Sequence, residues 1–131
     1  MPLNKITQAV ILAAGIGTRL RPLTDSCPKP MLPINGKPLL ERTVLLLKNQ
    51  GIRDFIFNLH YLPDMITKHF GDGSRFGVSI QYSKEIGKLS ETAGALKKME
   101  SLLRDNFLFM YGDELHAFNF RPLADFHMAN G

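Results

Sequence analysis

The strongest constraint on this chain is an apolar run, Val10 to Ala14, that breaks abruptly into Gly15-Ile16-Gly17-Thr18-Arg19. A short apolar run that ends in glycines is typical of a buried strand followed by a tight turn. Glycine in such a turn lets backbone N–H groups approach a ligand that no side chain obstructs. A second cation, Lys29, follows ten residues after Arg19. The pattern therefore favours an anionic ligand such as a polyphosphate.

The turn does not fit two common glycine-rich nucleotide motifs. A dinucleotide-binding turn requires a third glycine at the position of Leu20, and the chain has no Gly-Lys followed by Ser or Thr, as a P-loop requires. Taken alone, Gly15 and Gly17 favour an ordinary strand-to-helix turn. Lys29 shifts the balance towards a ligand because Pro28 and Pro30 stiffen the backbone on both sides of it, which preorganises its charge.

Length and composition limit the remaining possibilities. A chain of 131 residues with 44% hydrophobic content builds one core and, most simply, one domain. We expect no membrane span and no secretory leader, and the single Cys27 fits a reducing, cytoplasmic location. The net charge of +4 is scattered, with no basic run longer than Lys97-Lys98, which argues against nucleic acid and for a small anionic ligand.

Hydrophobic periodicity predicts alternating strands and helices. Strands are expected at 8–14, 54–60, 78–82 and 106–111, and helices at 38–50, 63–70, 92–103 and 122–130. In the last helix, Leu123 and Phe126 are expected to face inward. This order predicts an α/β fold with a mainly parallel sheet and helices on both faces. Because ligands bind at the carboxyl ends of parallel strands, the Gly15 loop and Asp113 should share one edge.

Asp113 is the candidate metal ligand. It follows Gly112 directly after an apolar strand, and a carboxylate at a strand end is a natural oxygen donor for Mg²⁺. The alternative for an aspartate in this position is a turn or a helix cap. Glu114 is expected to be solvated, and the four histidines show no metal-ligand spacing.

Residues 10–34 resemble, almost residue for residue, the signature of the sugar-1-phosphate nucleotidylyltransferases. That signature runs Ala-Ala-Gly-x-Gly-Thr-Arg-Leu-x-Pro-Leu-Thr and then Pro-Lys-Pro-Met-Leu-Pro-Ile. The resemblance continues through Thr92-Ala-Gly-Ala-Leu96 and Gly112-Asp113. Within the family, the chain is similar above all to bacterial mannose-1-phosphate guanylyltransferases and N-acetylmuramate 1-phosphate uridylyltransferases. It implies a three-layer, Rossmann-like (GT-A-like) nucleotidyltransferase fold truncated at the C-terminus. Residues 1–131 would be its nucleotide-binding part, without the sugar-binding half.

The resemblance also implies roles for individual residues. Arg19, Lys29 and Asp113 would be catalytic, with Asp113 holding Mg²⁺, and Glu85 would accept a hydrogen bond from a ring N–H of guanine or uracil. A solvated loop charge is the alternative for Glu85. Two departures from the family pattern are Leu89-Ser90-Glu91, where Pro-Leu-Gly is usual, and Tyr111, where Asn or a small residue is more frequent. The residues that would bind the nucleotide are Leu12, Ala13, Ala14, Gly15, Gly17, Thr18, Arg19, Lys29, Glu85, Thr92 and Gly94.

The implied reaction is Mg²⁺-dependent transfer of a nucleoside monophosphate from a nucleoside triphosphate to a sugar 1-phosphate, with release of pyrophosphate. The partners would be GTP or UTP and a sugar 1-phosphate; the sequence fixes neither the base nor the sugar, and it allows a homo-oligomer without requiring one. The alternative is a non-catalytic module that binds a nucleotide or nucleotide sugar, or an inactive short homologue. The presence of Arg19, Lys29 and Asp113 favours the enzyme.

Overall fold

The chain alternates short strands with helices. The computed structural model describes residues 5–85, 92–114 and 116–131. Short 3₁₀ turns lie at Thr18–Leu20, Lys29–Met31, Ser74–Phe76 and Glu100–Leu102. The strands and α-helices are β1 Gln8–Leu12, β2 Pro33–Ile34, β3 Lys37–Pro38, α1 Leu39–Asn49, β4 Asp54–Leu59, α2 Pro63–Phe70, β5 Ser79–Lys84, α3 Thr92–Lys98, β6 Leu108–Tyr111 and α4 Arg121–Asn130.

The main sheet has four strands in the order β5-β4-β1-β6, and all its pairings are parallel. β1 lies between two neighbours, with Val10 opposite Ile56 on one side and Phe109 on the other. Such a central strand is covered on both faces, which explains its apolar sequence from Ala9 to Leu12. The predicted parallel α/β architecture is confirmed.

Helices cover both faces of this sheet. On one face, β1 and β4 contribute Ile11, Phe55 and Phe57 to a core that is completed by residues of α1, α2 and α4. On the other face, Val10 and Ile56 pack against Met99, which directly follows α3. The two faces follow from the strand period of two, because neighbouring residues point to opposite sides. The result is the predicted three-layer arrangement.

A small antiparallel pair, β2 and β3, was not predicted. It is closed by Asn35 and Gly36, both at positive φ (48° and 80°). Asn-Gly favours such tight hairpin turns because both residues tolerate this backbone conformation. The sequence therefore carried the signal for this hairpin.

Two details of the predicted helices were wrong. The helix expected over 92–103 ends at Lys98 and is followed by a 3₁₀ turn. In α4, Leu123 and Phe126 are 61% and 68% exposed rather than buried. The stripe that meets the core is formed instead by Phe120, Ala124 and Met128, spaced four residues apart. Leu123 and Phe126 lie off that stripe because each residue advances about 100° around the helix.

None of the helices in the described ranges is long and apolar enough to cross a membrane. α1 has only 11 residues, whereas a helix that spans a bilayer core needs about 20.

Candidate active site

The carboxyl edge of the sheet carries a cavity of about 710 Å³. Each of the four parallel strands, or the segment directly after it, contributes to its lining, in agreement with the rule for open α/β sheets. A volume of this size is typical of a small-molecule site. The segments after β1 and β6 bring Gly15 and Asp113 to this one edge, as predicted.

The cavity gathers nearly all the residues that the sequence singled out. Gly94 is the exception: it does not line the cavity, although its neighbours Ala93 and Ala95 do. The cavity also includes Asn58 of β4, which sequence reasoning did not single out. The predicted residues that line it are Leu12, Ala13, Ala14, Gly15, Gly17, Thr18, Arg19, Lys29, Glu85, Thr92 and Asp113.

Residues 15–19, called here the glycine loop, contain one glycine that the backbone requires. Gly17 lies in the left-handed region with φ 69°, and a Cβ there would stand 3.0 Å from Thr24 Cγ2 and 3.3 Å from Lys29 Cβ. Gly17 is therefore needed for both its backbone conformation and its close packing. Gly15 differs, because a Cβ at that position would meet no atom of the described residues within 4 Å. The space beside Gly15 is open to a ligand.

The glycine loop presents donors without internal partners. Within the described chain, the backbone N–H groups of Gly15, Ile16 and Gly17 make no hydrogen bond. Arg19 is exposed and forms no ion pair with any described residue. Backbone donors next to a cation suit the oxygens of a phosphate group.

Two residues outside the glycine loop hold it from behind. Thr24 is completely buried, and its Oγ1 donates a hydrogen bond of 2.7 Å to the carbonyl of Gly17. The Tyr61 hydroxyl in turn donates to the carbonyl of Thr24 at 2.6 Å and lies 3.2 Å from that of Asp25. Sequence reasoning missed Tyr61, because nothing in the local sequence shows which backbone carbonyl it contacts.

Lys29 is fixed by its two prolines, as the sequence suggested. It begins the 3₁₀ turn Lys29–Met31, and both Pro28 and Pro30 are buried. Its Nζ lies 3.3 Å from Oδ2 of Asp113. The side chains of this pair are 33% and 46% exposed, so both charged groups face the open cavity.

Packing against β1 sets the position of Asp113. The N–H of Gly112 donates to the carbonyl of Leu12 at 2.8 Å. A Cβ on Gly112 would stand 2.9 Å from Ile11 Cγ2 and 3.1 Å from the Leu12 carbonyl oxygen. Only glycine fits so close to the neighbouring strand. The Gly-Asp pair thus places a carboxylate beside the glycine loop.

Glu85 is buried, which removes the alternative of a solvated loop charge. Its side chain is 1% exposed, and Lys98 Nζ lies 3.4 Å from its Oε1. Its backbone is also fixed, because its N–H donates to the carbonyl of Leu59 at 2.7 Å and its carbonyl lies 3.1 Å from Nδ1 of His60. The departure at Leu89-Ser90-Glu91 lies outside the described residues.

Of the two carboxylates among the described residues that line the cavity, Glu85 is buried and Asp113 is exposed to a metal ion. The described ranges contain no group of three or more His, Cys, Asp or Glu residues arranged to hold one. Glu114 is exposed, with Oε2 3.9 Å from Nε2 of His116. Mg²⁺ commonly binds through one or two carboxylates together with substrate phosphates and water. Asp113 beside a cavity large enough for a small molecule fits that mode of binding.

A second depression, of about 860 Å³, lies at the opposite edge of the sheet and is rich in cations. Its two arginines donate to backbone carbonyls at the C-terminal end of α1: Arg53 to Lys48 at 2.7 Å, and Arg121 to Gln50 at 2.9 Å through Nε. Cations stabilise helix C-termini, so a structural role accounts for both arginines.

The parallel sheet and the cavity at its carboxyl edge define the class of the protein. It is a three-layer α/β protein with a cavity at the carboxyl edge of its sheet, where backbone donors, cations and a carboxylate suit a phosphate-bearing ligand and a metal ion. The family model described as nucleotidyl transferase matches residues 8–131. The chain therefore belongs to the nucleotidyl transferase family.

Curated relatives carry the names that the signature suggested. The chain is 43% identical over 114 residues to an N-acetylmuramate alpha-1-phosphate uridylyltransferase of Neisseria meningitidis, an alignment that covers 86% of this chain and 49% of the relative. It is 39% identical over 122 residues to a mannose-1-phosphate guanylyltransferase of Mycobacterium tuberculosis, with 93% of this chain and 34% of the relative covered. The chain thus spans about a third to a half of the length of these relatives.

Solved structures agree with the fold. The chain matches HddC from Yersinia pseudotuberculosis, whose structure is a complex with GMP-PN, with a TM-score of 0.79 and 30% sequence identity. The match covers 92% of this chain and 53% of that protein.

Proposed function

We propose that this chain is the nucleotide-binding part of a Mg²⁺-dependent sugar-1-phosphate nucleotidyltransferase. The observation that carries the proposal is the convergence of the glycine loop with Lys29 and Asp113 in one cavity. The family match over residues 8–131 and the activities named for the relatives support it. Arg19, Lys29 and Asp113 are all present, which favours the enzyme over a non-catalytic binding module.

The proposed reaction is an in-line displacement at phosphorus. An oxygen of the sugar 1-phosphate attacks the α-phosphorus of the nucleoside triphosphate, and the bond from that phosphorus to the oxygen bridging to the β-phosphate breaks. Pyrophosphate leaves with the bonding electrons, and a nucleoside diphosphate sugar remains. Such a reaction needs no covalent nucleophile from the protein, since positioning and charge neutralisation supply most of the rate enhancement.

The glycine loop and the two cations would provide this neutralisation. Backbone N–H groups of Gly15 to Gly17 would hold the terminal phosphates, and Arg19 would neutralise the charge that develops on the leaving pyrophosphate. Lys29 would contact both the α-phosphate and the incoming sugar phosphate. In the absence of substrate, the 3.3 Å contact with Asp113 keeps the Lys29 ammonium group directed into the cavity.

Asp113 is the residue that would hold Mg²⁺. When bound, the ion supplies positive charge at the α-phosphate and helps to orient the reacting groups. The Asp113 side chain is 46% exposed, which leaves its carboxylate accessible to an ion that enters with the nucleotide.

Glu85 would read the base. Its buried carboxylate lies at the end of β5, away from the Lys29–Asp113 pair at β6, so the nucleotide would lie across the sheet edge with its base towards β5. A carboxylate accepts a hydrogen bond from the ring N–H of guanine or uracil, which adenine and cytosine lack at the corresponding position. GTP and UTP are therefore the proposed nucleotides. The names of the relatives support a sugar 1-phosphate as the second substrate. The proposed location is the cytoplasm.

Calorimetric titration of the chain with the four nucleoside triphosphates in the presence of Mg²⁺ tests this proposal. We expect GTP or UTP to bind at least several-fold more tightly than ATP and CTP. Failure of all four to bind would contradict the proposal, whereas tight binding of ATP alone would contradict only the assigned role of Glu85.

A further inference from the structure

A chain of hydrogen bonds leads from Tyr61 to the glycine loop. The Tyr61 hydroxyl donates to the carbonyl of Thr24 at 2.6 Å, and the Thr24 hydroxyl donates to the carbonyl of Gly17 at 2.7 Å. Tyr61 does not line the cavity. We infer that Tyr61 is a positioning residue, which holds the glycine loop in its ligand-binding shape through Thr24 without touching the substrate.

The glycine loop depends on such external support. The segment between β1 and Thr24, which contains the loop, has regular structure only in the 3₁₀ turn Thr18–Leu20. Within the loop, Gly15, Ile16 and Arg19 are exposed. The unbonded N–H groups of residues 15–17 do nothing to order the loop until a ligand arrives. Binding to a loop that is already ordered avoids the entropic cost of fixing it.

Thr24 transmits this support through its hydroxyl, which donates to the Gly17 carbonyl at 2.7 Å. Because Thr24 is completely buried, its own carbonyl depends on a protein partner, which Tyr61 provides. Removal of the Tyr61 hydroxyl would leave that carbonyl without this donor and loosen Thr24.

The chain offers a matched control in Tyr82. Its hydroxyl also donates to a backbone carbonyl, that of Gly71, at 2.6 Å, and its ring is also half-buried. Tyr82 does not line the cavity, and its hydrogen bond and ring contact among the described residues are with Gly71 and Phe57 rather than with the glycine loop. Tyr61→Phe and Tyr82→Phe therefore remove the same group from the same kind of bond, at one position that supports the loop and at one that does not.

Hydrogen exchange of the ligand-free chain tests the inference directly. The amide of Leu20 donates to the Gly17 carbonyl at 3.1 Å, and that of Arg21 to the Thr18 carbonyl at 3.3 Å, so both report on the loop. In Tyr61→Phe we expect these amides to exchange about three- to tenfold faster, the effect of losing one hydrogen bond. Tyr82→Phe should leave them unchanged. Equal exchange at Leu20 and Arg21 in the two variants would overturn the inference.

Thr24 variants separate positioning from general destabilisation. Thr24→Ser keeps the hydroxyl and should retain the slow exchange of Leu20, whereas Thr24→Val keeps the volume and should lose it. If Thr24→Val does not fold, Tyr61→Phe and Thr24→Ser still decide the question, because fast exchange in Thr24→Ser would contradict a role for the hydroxyl.

The consequence for nucleotide binding rests on the proposed function and is measured separately. The dissociation constant of the preferred triphosphate should rise in Tyr61→Phe by up to the same factor as the exchange rate, because only the ordered fraction of the loop binds. It should not rise in Tyr82→Phe. If the wild-type chain binds no triphosphate, the proposed function is wrong. The exchange experiment on the ligand-free chain still shows whether Tyr61 orders the loop. Binding that is unchanged in Tyr61→Phe despite faster exchange would refute positioning for the ligand.

Discussion

Lys29 and Asp113 are 84 residues apart in the chain, yet Lys29 Nζ lies 3.3 Å from Asp113 Oδ2. Each residue is set by its neighbours: Lys29 by two buried prolines, and Asp113 by the close packing of Gly112 against β1. An ion pair that is one third to one half exposed contributes only about 0–1 kcal/mol to stability. The protein thus holds two opposite charges together in its cavity with little gain in stability.

Replacement of Lys29 by Ala should therefore affect ligand binding far more than folding. A charge-assisted hydrogen bond to phosphate contributes about 1.5–3 kcal/mol, so we expect triphosphate affinity to fall by about ten- to a hundredfold. Arg19→Ala should act in the same direction. Calorimetry gives the affinity, and thermal unfolding should show a midpoint within a few degrees of the wild type.

Lys97→Ala is the control for Lys29→Ala. Lys97 is an exposed lysine in an ion pair with Glu100, at 2.7 Å, and it does not line the cavity. It should leave both affinity and stability unchanged. If Lys29→Ala unfolds early and binds the nucleotide normally, Lys29 is a structural residue.

Asp113→Asn should separate metal-dependent from metal-free binding. The amide keeps an oxygen but loses the charge that makes Asp113 a good ligand for Mg²⁺, so affinity in the presence of Mg²⁺ should fall about tenfold or more. With a chelator present, affinity should stay the same or improve, because the substitution removes a negative charge near the phosphates and releases Lys29. Titrations under the two conditions measure this difference.

Glu114→Gln is the control for Asp113→Asn, since Glu114 is adjacent and exposed and does not line the cavity. It should change binding in neither condition. Equal losses for Asp113→Asn with and without Mg²⁺ would remove Asp113 from the metal site.

Two glycines of the site should respond to alanine in opposite ways. In Gly112→Ala, the new Cβ would stand 2.9 Å from Ile11 Cγ2 and 3.1 Å from the Leu12 carbonyl oxygen, so unfolding should occur at lower temperature, with a cost of about 1–3 kcal/mol. In Gly15→Ala the Cβ would have no atom within 4 Å in the part of the chain that the structure describes. This variant should fold normally and bind the triphosphate weakly, because the methyl group occupies ligand space.

Thermal unfolding and calorimetry of both variants test this contrast. Normal nucleotide binding by Gly15→Ala would show that the ligand does not approach the loop at Gly15. An unchanged unfolding temperature for Gly112→Ala would show that β1 and β6 can separate without cost at this point.

The sequence predicted those parts of the site that depend on local sequence patterns. The apolar run into Gly15, the prolines around Lys29 and the strand before Asp113 each indicate a local backbone shape, and the parallel sheet brings them together. Tyr61 could not be predicted in this way, because its hydroxyl contacts Thr24, 37 residues earlier in the chain. The prediction that Leu123 and Phe126 face inward is wrong, because the apolar residues of a short helix do not show which of two neighbouring stripes meets the sheet.

Glu85→Gln should weaken discrimination between bases. The amide nitrogen replaces one acceptor oxygen by a donor, so the preference for GTP or UTP over ATP should fall several-fold. Lys98, which loses a charged partner, is 47% exposed and stays hydrated. Glu100→Gln, at an exposed position outside the cavity, is the control. Calorimetric titrations with GTP, UTP and ATP measure the ratio, and an unchanged ratio would contradict the proposed role of Glu85.

The last prediction concerns catalysis by the 131-residue chain itself. We expect it to bind the triphosphate but to form little or no nucleotide sugar. The chain covers only 34% of the Mycobacterium tuberculosis relative and 49% of the Neisseria meningitidis relative. We therefore expect part of the sugar-phosphate site to lie outside the matched region. Without that part, the reaction loses the proximity that contributes about 7–11 kcal/mol when two substrates are well oriented. Pyrophosphate release should be measured for each triphosphate with a panel of sugar 1-phosphates. Robust release with any pair, abolished by Lys29→Ala and retained by Lys97→Ala, would show that this chain carries a complete active site, alone or by pairing with a second copy.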